Sequence, residues 1–265
     1  MLTDRFPKLK GLILDMDGVL WKDSKPIGDL PYIFKGISDL GLKVVFATNN
    51  ATKSIEEYQQ KLASFGVQVE PEQIITSAIA AAKYLQQHYP SGIWVYVVGS
   101  ASLKDMIHQH GFQVCDDAGR NSAQVVLVAM DTSLTYEKIR NAATQIRQGA
   151  DFIATNMDAT FPTPQGLLPG AGACVAAIAT AAEKQPLLIG KPQTLMYELA
   201  FQTLGFAPHE VMAIGDRLET DIAGAQKAGC LAGLVLSGVT DETKAHRWQP
   251  QPDLIARDLT ELVYG

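Results

Sequence analysis

The sequence predicts an α/β protein built around a doubly wound parallel sheet. Short apolar runs alternate with longer amphipathic segments, and each run is continuously apolar, which is typical of parallel strands covered on both faces. Six runs predict buried strands, at residues 12–14, 44–47, 125–129, 187–189, 211–214 and 231–236. Helical segments between them stop at residues that can close a helix in the left-handed conformation: Gly41, Gly66, Gly111, Gly149, Gly205 and Gly229. This alternation indicates the fold class.

Composition and charge narrow the possible partners and compartments. Hydrophobic residues are 47% of the 265 residues and charged ones 19%, which is enough to bury a substantial core. A net charge of −6 argues against nucleic acid or an anionic membrane as the main partner. Three widely spaced cysteines, Cys115, Cys174 and Cys230, predict no disulfide framework or zinc site. With no signal-peptide pattern in the first fifteen residues, we expect a cytoplasmic protein.

The middle of the chain predicts an inserted domain. Two alanine-rich helical segments flank a block at residues 92–151 that has strands and helices of its own. We interpret this block as an insertion that makes the first domain discontinuous. The predicted division is a first domain of residues 1–80 and 184–265, with residues 81–183 inserted as the second.

Two aspartates follow the first predicted strand. Asp15 and Asp17 stand two residues apart before Gly18, at the carboxyl end of a buried strand, where open α/β sheets bind ligands. Side chains two apart on an extended chain share a face, and a bound cation would offset the repulsion between them. A polar loop with an Asx turn at Gly18 explains the same residues, so this motif alone leaves both interpretations open.

Polar residues also follow two later strands. Thr48 and Asn49 end the strand at residues 44–47, where a hydroxyl and backbone N–H groups could cradle an oxyanion, although an ordinary helix N-cap has the same pattern. Lys191 follows the strand at residues 187–189. Its compact positive charge suits a phosphate oxygen, but an exposed lysine is usually a solubilising residue. The surrounding residues do not form a Walker A loop.

A second pair of acids follows the strand at residues 211–214. Asp216 comes at its carboxyl end, and Asp221 follows five residues later. Carboxylates together with backbone carbonyls and waters are the hard oxygen ligands that Mg²⁺ prefers. Capping of the helix that ends at Gly229 is the alternative for Asp221.

The four motifs together are more specific than any one of them. If all four strands belong to one parallel sheet, their carboxyl ends lie along one edge and can converge. With DxD, Thr, Lys and GDxxxxD in this order, the chain resembles the haloacid dehalogenase superfamily of aspartate-nucleophile phosphatases. Residues 152–158, Pro162 and residues 166–172 resemble the subclass with a large α/β cap, which includes nitrophenyl-phosphatase-like and phosphoglycolate-phosphatase-like enzymes. The resemblance covers essentially the whole chain and implies a HAD-like core with an inserted α/β cap domain.

The resemblance implies Mg²⁺-dependent hydrolysis of small phosphate monoesters. In the family, the residue at Asp15 attacks phosphorus and forms an aspartyl-phosphate, and the residue at Asp17 protonates the leaving oxygen and then deprotonates water. The family also assigns Mg²⁺ to the Asp15 carboxylate, the Asp17 backbone carbonyl and Asp216, with Asp221 supporting the site. Mg²⁺ is thus the implied cofactor.

The resemblance further implies which groups bind the substrate. Three groups would hold the phosphoryl oxygens: Thr48, the Asn49 N–H and Lys191. Four residues of the subclass signature are candidates for contacting the leaving group from the cap: Thr155, Asn156, Asp158 and Phe161. A tight structural turn explains Asn156 and Asp158 equally well. Some relatives have a histidine near the position of Phe161, so their substrate preferences are not expected to carry over.

Three functions remain as candidates at the level of sequence. Hydrolysis leads, a phosphotransferase or phosphomutase using Asp15 is the near alternative, and a non-catalytic phosphometabolite-binding protein is the third. The third is disfavoured because binding alone gives no reason to keep Asp15 and Asp17 beside Lys191 and Asp216. We expect a small phosphorylated metabolite as partner, no nucleic acid or membrane, and, by analogy with relatives, a homodimer through the cap. Candidate substrates are phosphoglycolate, sugar phosphates, glycerol phosphate, nucleoside monophosphates and pyridoxal phosphate.

Overall fold

The computed structural model describes residues 2–115, 122–163 and 166–265. Its strands are β1 Gly11–Leu14, β2 Trp21–Lys22, β3 Lys25–Pro26, β4 Lys43–Thr48, β5 Ile74–Thr76, β6 Trp94–Val98, β7 Gln113–Cys115, β8 Val125–Val128, β9 Asp151–Ala154, β10 Thr160–Thr163, β11 Gly166–Pro169, β12 Leu187–Leu188, β13 Val211–Gly215, β14 Leu231–Val235 and β15 Leu254–Ala256. Its α-helices are α1 Leu2–Arg5, α2 Leu30–Asp39, α3 Ile55–Ser64, α4 Ser77–His88, α5 Ala101–Gln109, α6 Tyr136–Arg147, α7 Ala171–Ala182, α8 Leu195–Leu204, α9 Ala223–Ala228, α10 Glu242–Arg247 and α11 Leu259–Tyr264.

The chain forms two compact units. The first, called the core unit here, comprises Met1–Thr48, Ile55–Ile75 and Lys191–Gly265. The second, called the inserted unit, comprises Asn49–Ser54 and Thr76–Gly190. No helix among the described residues is both long and apolar enough to cross a lipid bilayer.

The core unit contains a six-stranded sheet in the order β15-β14-β13-β1-β4-β5. The pairings of β1 with β4 and β13, of β13 with β14 and of β14 with β15 are parallel. Numbered along the chain within this sheet, the order is 3-2-1-4-5-6, in which the winding reverses between β1 and β13. Open α/β sheets bind ligands at the carboxyl ends of the strands beside that reversal. The sheet therefore places the ends of β1 and β13 where a ligand site is expected.

Apolar side chains from the sheet and its helices form one continuous core in this unit. Leu12 and Leu14 of β1 are fully buried, as are Phe46 of β4 and Ile33 of α2. Each such side chain contributes about 1.5–3 kcal/mol when it leaves water, so the strands that carry the polar site residues are firmly held. The continuous apolar pattern predicted by the sequence is confirmed here.

The inserted unit has its own parallel sheet, in the order β12-β9-β8-β6-β7, and an antiparallel hairpin of β10 and β11. Its order along the chain is 2-1-3-4-5, a second doubly wound arrangement. Val126 and Val128 of β8 pack with Phe152 of β9 and Ile178 of α7 in a separate hydrophobic core. The predicted α/β character of the middle block is confirmed.

One expectation about the sheets is wrong. The run at residues 187–189 was expected to be a buried strand in the same sheet as the other three motif strands. It forms the two-residue strand β12, which pairs with β9 in the inserted unit, and Leu187 is 46% exposed. An apolar run indicates a strand but carries no information about its pairing partner, which tertiary packing decides.

The compact units also differ at their edges from the predicted division into residues 1–80 with 184–265 and residues 81–183. The boundary at residue 80 falls inside α4, which clusters as a whole with the inserted unit. Residues 184–190 belong to that unit too, because β12 completes its sheet. The division into functional domains stays a prediction.

Candidate active site

The strand end after β1 positions the first pair of aspartates. Asp15 continues the ladder, since its N–H donates to the carbonyl of Ile214 at 2.9 Å. The chain then turns sharply: the Met16 carbonyl accepts from the N–H of Leu20 at 2.9 Å, and Gly18 has a φ of +88°, which only glycine adopts without strain. Asp15 and Asp17 are both half-buried beside this turn.

A buried lysine connects three neighbouring strand ends in the core unit. Lys191 is 4% exposed, and its Nζ donates to Asp15 Oδ1 at 2.5 Å, to Asp221 Oδ1 at 2.6 Å and to the Ala47 carbonyl at 2.9 Å. Asp15 follows β1, Asp221 follows β13, and Ala47 lies within β4. The solubilising-residue interpretation of Lys191 is therefore wrong.

Asp221 is held on a single turn of π-helix, Leu218–Ile222. Its Oδ2 accepts the Arg217 N–H at 3.0 Å, and its own carbonyl accepts the Tyr197 hydroxyl at 2.9 Å. Gly215 makes this approach possible, because a Cβ there would lie 2.2 Å from the Asp221 Cβ. Both carboxylate oxygens of Asp221 are thus engaged by protein groups, which fits a supporting role.

Asp216 is 1% exposed and is packed between two glycines. Its Oδ2 accepts the Val239 N–H at 2.7 Å. A Cβ on Gly18 would lie 2.4 Å from that oxygen, and one on Gly238 would lie 1.8 Å from it. The backbone on both sides of this carboxylate can therefore carry no side chain.

The three acids form one electrostatic cluster. Carboxylate oxygens of Asp15, Asp216 and Asp221 all lie within 4.8 Å of one another. Burial raises the pKa of Asp15 well above its usual value, with repulsion from Asp221 and Asp216 adding to the rise against the opposing Lys191 ammonium. Burial and the Asp221 charge raise the pKa of Asp216 to about 7.

The charge balance of this cluster suits a divalent cation. Burial alone would lower the pKa of Lys191, but the Asp15 and Asp221 carboxylates outweigh it and raise that pKa well above its usual value, so the amine stays charged. With all three acids ionised, three carboxylates and one ammonium would leave two negative charges uncompensated, and the raised pKa values of Asp15 and Asp216 reflect burial together with this repulsion. Buried charges of this kind need a partner, and oxygen-only ligands are those preferred by Mg²⁺. The residues present therefore fit a magnesium ion.

The side chain of Asp17 takes a different direction from this cluster. Its carboxyl Oδ1 accepts the Trp21 indole N–H at 2.8 Å. The group of carboxylates that could share an ion, among the described residues, does not include it. This arrangement leaves the Asp17 carboxyl available for work other than metal binding.

Thr48 lies at the end of β4 and is 2% exposed. The buried phenol of Tyr58, on α3, hydrogen-bonds its side chain. Burial raises the pKa of Tyr58 well above its usual value, and the nearby Asp17 charge adds to the rise. Tyr58 therefore stays protonated and can orient the Thr48 hydroxyl.

The structure brings three of the remaining sequence-predicted residues together within the inserted unit. Asn156 donates from Nδ2 to the Asn49 carbonyl at 2.8 Å, and Asn49 donates from its own Nδ2 to Asp158 Oδ2 at 3.4 Å. The Asp158 N–H donates to Asn156 Oδ1 at 3.1 Å, as expected for a tight turn. Asn156 and Asp158 thus hold the segment that carries the Asn49 N–H.

Thr155 is outside that network. Thr155 is completely buried, yet among the described residues no group hydrogen-bonds its Oγ1. Buried hydroxyls are nearly always paired, so an unpaired one needs a functional or structural reason. The backbone of Phe161 lies in β10, and its side chain is outside the described part of the chain.

Sequence reasoning missed several groups of the site. The phenols of Tyr58 and Tyr197 come from helices with no local signal that sets them apart. The indole of Trp21 has one local signal in the sequence, which is its position four residues after Asp17.

The chain is similar to known proteins over nearly its whole length. The family model described as haloacid dehalogenase-like hydrolase matches residues 12–113, and a HAD-hydrolase-like model matches residues 188–262. The 5'-nucleotidase YutF of Bacillus subtilis is 32% identical over 96% of this chain and 97% of its own. A 4-nitrophenylphosphatase structure from Thermotoga maritima is 28% identical with a TM-score of 0.90, covering 98% of both chains. A glycerol phosphate phosphatase from Mycobacterium tuberculosis, in complex with magnesium, is 31% identical with a TM-score of 0.89, over 97% of this chain and 77% of that one.

The chain belongs to the haloacid dehalogenase-like hydrolase family. Its relatives over nearly the full length are phosphatases and a nucleotidase, so it is a phosphoric monoester hydrolase of the nitrophenyl-phosphatase-like group. The predicted α/β fold with a HAD-like architecture is confirmed.

The packing around Asp216 yields a first prediction. Gly238→Ala forces the Asp216 carboxylate to move, because the new Cβ would overlap its Oδ2, and φ at this position is not in the left-handed region. We expect kcat/KM for 4-nitrophenyl phosphate to fall at least about 100-fold, since a misplacement near 1 Å costs that much. Steady-state kinetics measure the loss, and far-UV circular dichroism checks that the variant is folded.

Val239→Ala is the matched control for Gly238→Ala. It changes the next residue, which is exposed, and retains the N–H that donates to Asp216. We expect turnover within about twofold of wild type, as for most surface substitutions. Equal activity of the Gly238→Ala variant and wild type would mean that the position of the Asp216 carboxylate is unimportant.

Proposed function

We propose that this enzyme hydrolyses small phosphate monoesters with Mg²⁺, through a covalent phosphate on Asp15. The observation that carries the proposal is the convergence of Asp15, Asp216 and Asp221, two of which, Asp15 and Asp221, pair with the Lys191 ammonium. A carboxylate nucleophile must approach an anionic phosphate, which requires positive charge at the same place.

The first half of the proposed reaction transfers the phosphoryl group to the protein. A carboxylate oxygen of Asp15 forms a bond to phosphorus while the bond from phosphorus to the leaving oxygen breaks. The protonated Asp17 carboxyl gives its proton to that oxygen, and an alcohol or phenol departs. Splitting the displacement in two replaces one difficult step by two easier ones.

The second half regenerates the enzyme. Water attacks phosphorus of the aspartyl-phosphate, the Asp17 carboxylate takes its proton, and the bond from phosphorus to the Asp15 oxygen breaks. Inorganic phosphate leaves, Asp15 is again a carboxylate and Asp17 is again protonated. The half-buried position of Asp17 and the separation of its carboxyl from the acid cluster support this role.

Fixed groups stabilise the charge on the phosphoryl oxygens in both halves. We assign this task to the Thr48 hydroxyl, the Asn49 N–H and the Lys191 ammonium. Lys191 is already anchored by Asp15, and Thr48 by Tyr58, so little reorganisation accompanies the reaction.

Mg²⁺ would be held by the Asp15 carboxylate, the Asp17 backbone carbonyl and Asp216, with Asp221 supporting them. When bound, it neutralises charge on the phosphate and on the acid cluster. The related glycerol phosphate phosphatase has structures in complex with magnesium and with calcium, which supports a divalent cation here, and the oxygen-only ligands favour Mg²⁺.

The substrates we propose are small phosphorylated metabolites. The relatives named above are a 5'-nucleotidase, a 4-nitrophenylphosphatase and a glycerol phosphate phosphatase, which share only the phosphate ester. Selectivity must then come from groups that contact the leaving alcohol. The candidates are Thr155, Asn156, Asp158 and Phe161 of the inserted unit, and among the described residues no group hydrogen-bonds the Thr155 hydroxyl.

Removal of the nucleophile tests the reaction itself. We expect Asp15→Asn to lose at least about 1,000-fold in phosphate release from 4-nitrophenyl phosphate, because an amide cannot form the acyl phosphate. Chelation of the metal should abolish wild-type turnover, and Mg²⁺ should restore it. Asp39→Asn is the control, since Asp39 is exposed and pairs with Lys35 in helix α2. Wild-type turnover by the Asp15→Asn variant would exclude this mechanism.

Metal binding has a readout that does not depend on activity. Mg²⁺ at 100 times its Kd should add about 2.7 kcal/mol to the free energy of unfolding, and Asp216→Asn should remove most of that gain. Because Asp216 has a pKa of about 7 without a cation, protons compete with the ion, so the gain should be larger at pH 8 than at pH 6. Thermal unfolding with and without Mg²⁺ measures it. An equal gain in the Asp216→Asn variant would place the ion elsewhere.

The Thr155 hydroxyl provides a test of substrate selection. Thr155→Val keeps the shape and removes a buried hydroxyl with no partner among the described residues, so the free energy of unfolding should stay the same or rise by about 1 kcal/mol. We expect kcat/KM for glycerol phosphate to fall about fivefold relative to kcat/KM for 4-nitrophenyl phosphate. Glycerol phosphate has hydroxyls beside its ester that Thr155 could bind, whereas 4-nitrophenyl phosphate has none. Thr180→Val, at an exposed position of α7, should leave the ratio unchanged. An unchanged ratio in the Thr155→Val variant would remove Thr155 from the selectivity residues.

A further inference from the structure

We propose that Trp21 is a positioning residue, whose indole N–H holds the Asp17 carboxyl in the orientation that delivers a proton to the leaving oxygen. The inference rests on the proposed function, because it assigns a second residue to the acid–base step. It concerns a side chain that lies outside the four motifs described above.

The contact between the two residues is direct and well formed. Trp21 Nε1 donates to Asp17 Oδ1 at 2.8 Å, and the indole is completely buried while the carboxyl is half-buried. Among the described residues, this is the hydrogen bond that the Asp17 side chain makes. The other carboxyl oxygen, Oδ2, is therefore the one left to carry the proton.

The backbone also ties the two residues together. Asp17 and Trp21 form an isolated β-bridge, and the Gly18 N–H donates to the Trp21 carbonyl at 2.8 Å. Trp21 then begins β2, which pairs with β3 through Trp21 and Pro26. The donor thus sits on a closed turn rather than on a free loop.

Neighbouring side chains fix the plane of the indole. The Lys61 ammonium lies 3.9 Å from the ring centroid and also donates to the Asp23 carbonyl at 2.9 Å. The Phe65 ring lies 6.0 Å away, tilted by 42°. A cation over one face and an aromatic neighbour restrain the ring, so its N–H keeps one direction.

A fixed donor matters because an aspartate carboxyl rotates easily. Its terminal torsion has broad, roughly two-fold preferences, so an unrestrained carboxyl spends much of its time misdirected. Proton transfer requires the acid within hydrogen-bond reach of the leaving oxygen, and orientation of this kind contributes directly to rate. The competing explanation is that Asp17 merely satisfies a buried indole N–H, which would give Trp21 a structural role alone.

The test uses leaving groups that differ in their need for a proton. 4-Nitrophenolate departs with little proton transfer, whereas the alkoxide of glycerol phosphate needs a proton as its bond breaks. Trp21→Phe keeps an aromatic ring and removes the donor. We expect kcat/KM for glycerol phosphate to fall about tenfold or more, and that for 4-nitrophenyl phosphate to change by no more than about threefold. Equal losses on both substrates would show a structural role and overturn the inference.

A double-mutant cycle with Asp17→Asn supplies the second readout. If Trp21 acts through Asp17, then Trp21→Phe should cause no further loss on glycerol phosphate once Asp17 is Asn. Additive losses would overturn the inference. Trp248→Phe is the matched control, because it removes an indole N–H that donates to Gln226 instead, and both activities should stay within about twofold of wild type.

The same measurements separate this inference from the function on which it rests. If Asp17→Asn lowers kcat/KM equally for both substrates, Asp17 does not act as the acid, and the inference is overturned together with that role. If Asp17→Asn lowers kcat/KM for glycerol phosphate selectively and Trp21→Phe does not, the proposed reaction stands. The role of Trp21 alone is then overturned.

Discussion

The site depends on the hydrogen bonds and ion pairs of the buried Lys191 ammonium. This ammonium joins acids that follow β1 and β13 to a carbonyl of β4, so three neighbouring strands share one cation. Taking a carboxylate out of water costs several kcal/mol, and the penalty is repaid only where a counter-charge and hydrogen bonds are in place. Removal of one partner from such a buried pair typically costs about 3–5 kcal/mol. The same Lys191 contacts therefore balance the charges of the site and hold three strands of the core unit together.

Much of this arrangement could be predicted from local sequence. Continuous apolar runs predicted β1, β4, β8, β13 and β14, because a strand buried on both faces needs apolar side chains at every position. All six predicted helix stops have positive φ, since closing a helix places its last residue in the left-handed region. The carboxyl-edge rule then brought Asp15, Asp216 and Asp221 together correctly, because β1 and β13 flank the reversal of winding.

What could not be predicted depends on contacts between distant segments. The strand before Lys191 belongs to the other sheet, yet the lysine itself reaches Asp15, which no local pattern can reveal. The bonds that Asn156 and Asp158 make with Asn49 cross more than one hundred residues. The hydrogen bond from Trp21 to Asp17 spans only four residues, but it depends on a turn whose shape follows from Gly18 and from the β2–β3 hairpin.

The sign of the charge at this site argues against a protein that merely binds phosphate. Such a protein presents an excess of positive charge and N–H donors to a dianion. Here the acid cluster, with all three acids ionised, carries two negative charges after Lys191 is counted, and that charge repels a phosphate ester unless a cation joins the cluster. Two glycines, Gly18 and Gly238, are packed against Asp216 at distances that admit no side chain. The position of this carboxylate therefore restricts which residues can occupy positions 18 and 238. An acid cluster held so tightly at the edge of the sheet makes chemical sense when a cation joins it and one of its acids attacks phosphorus.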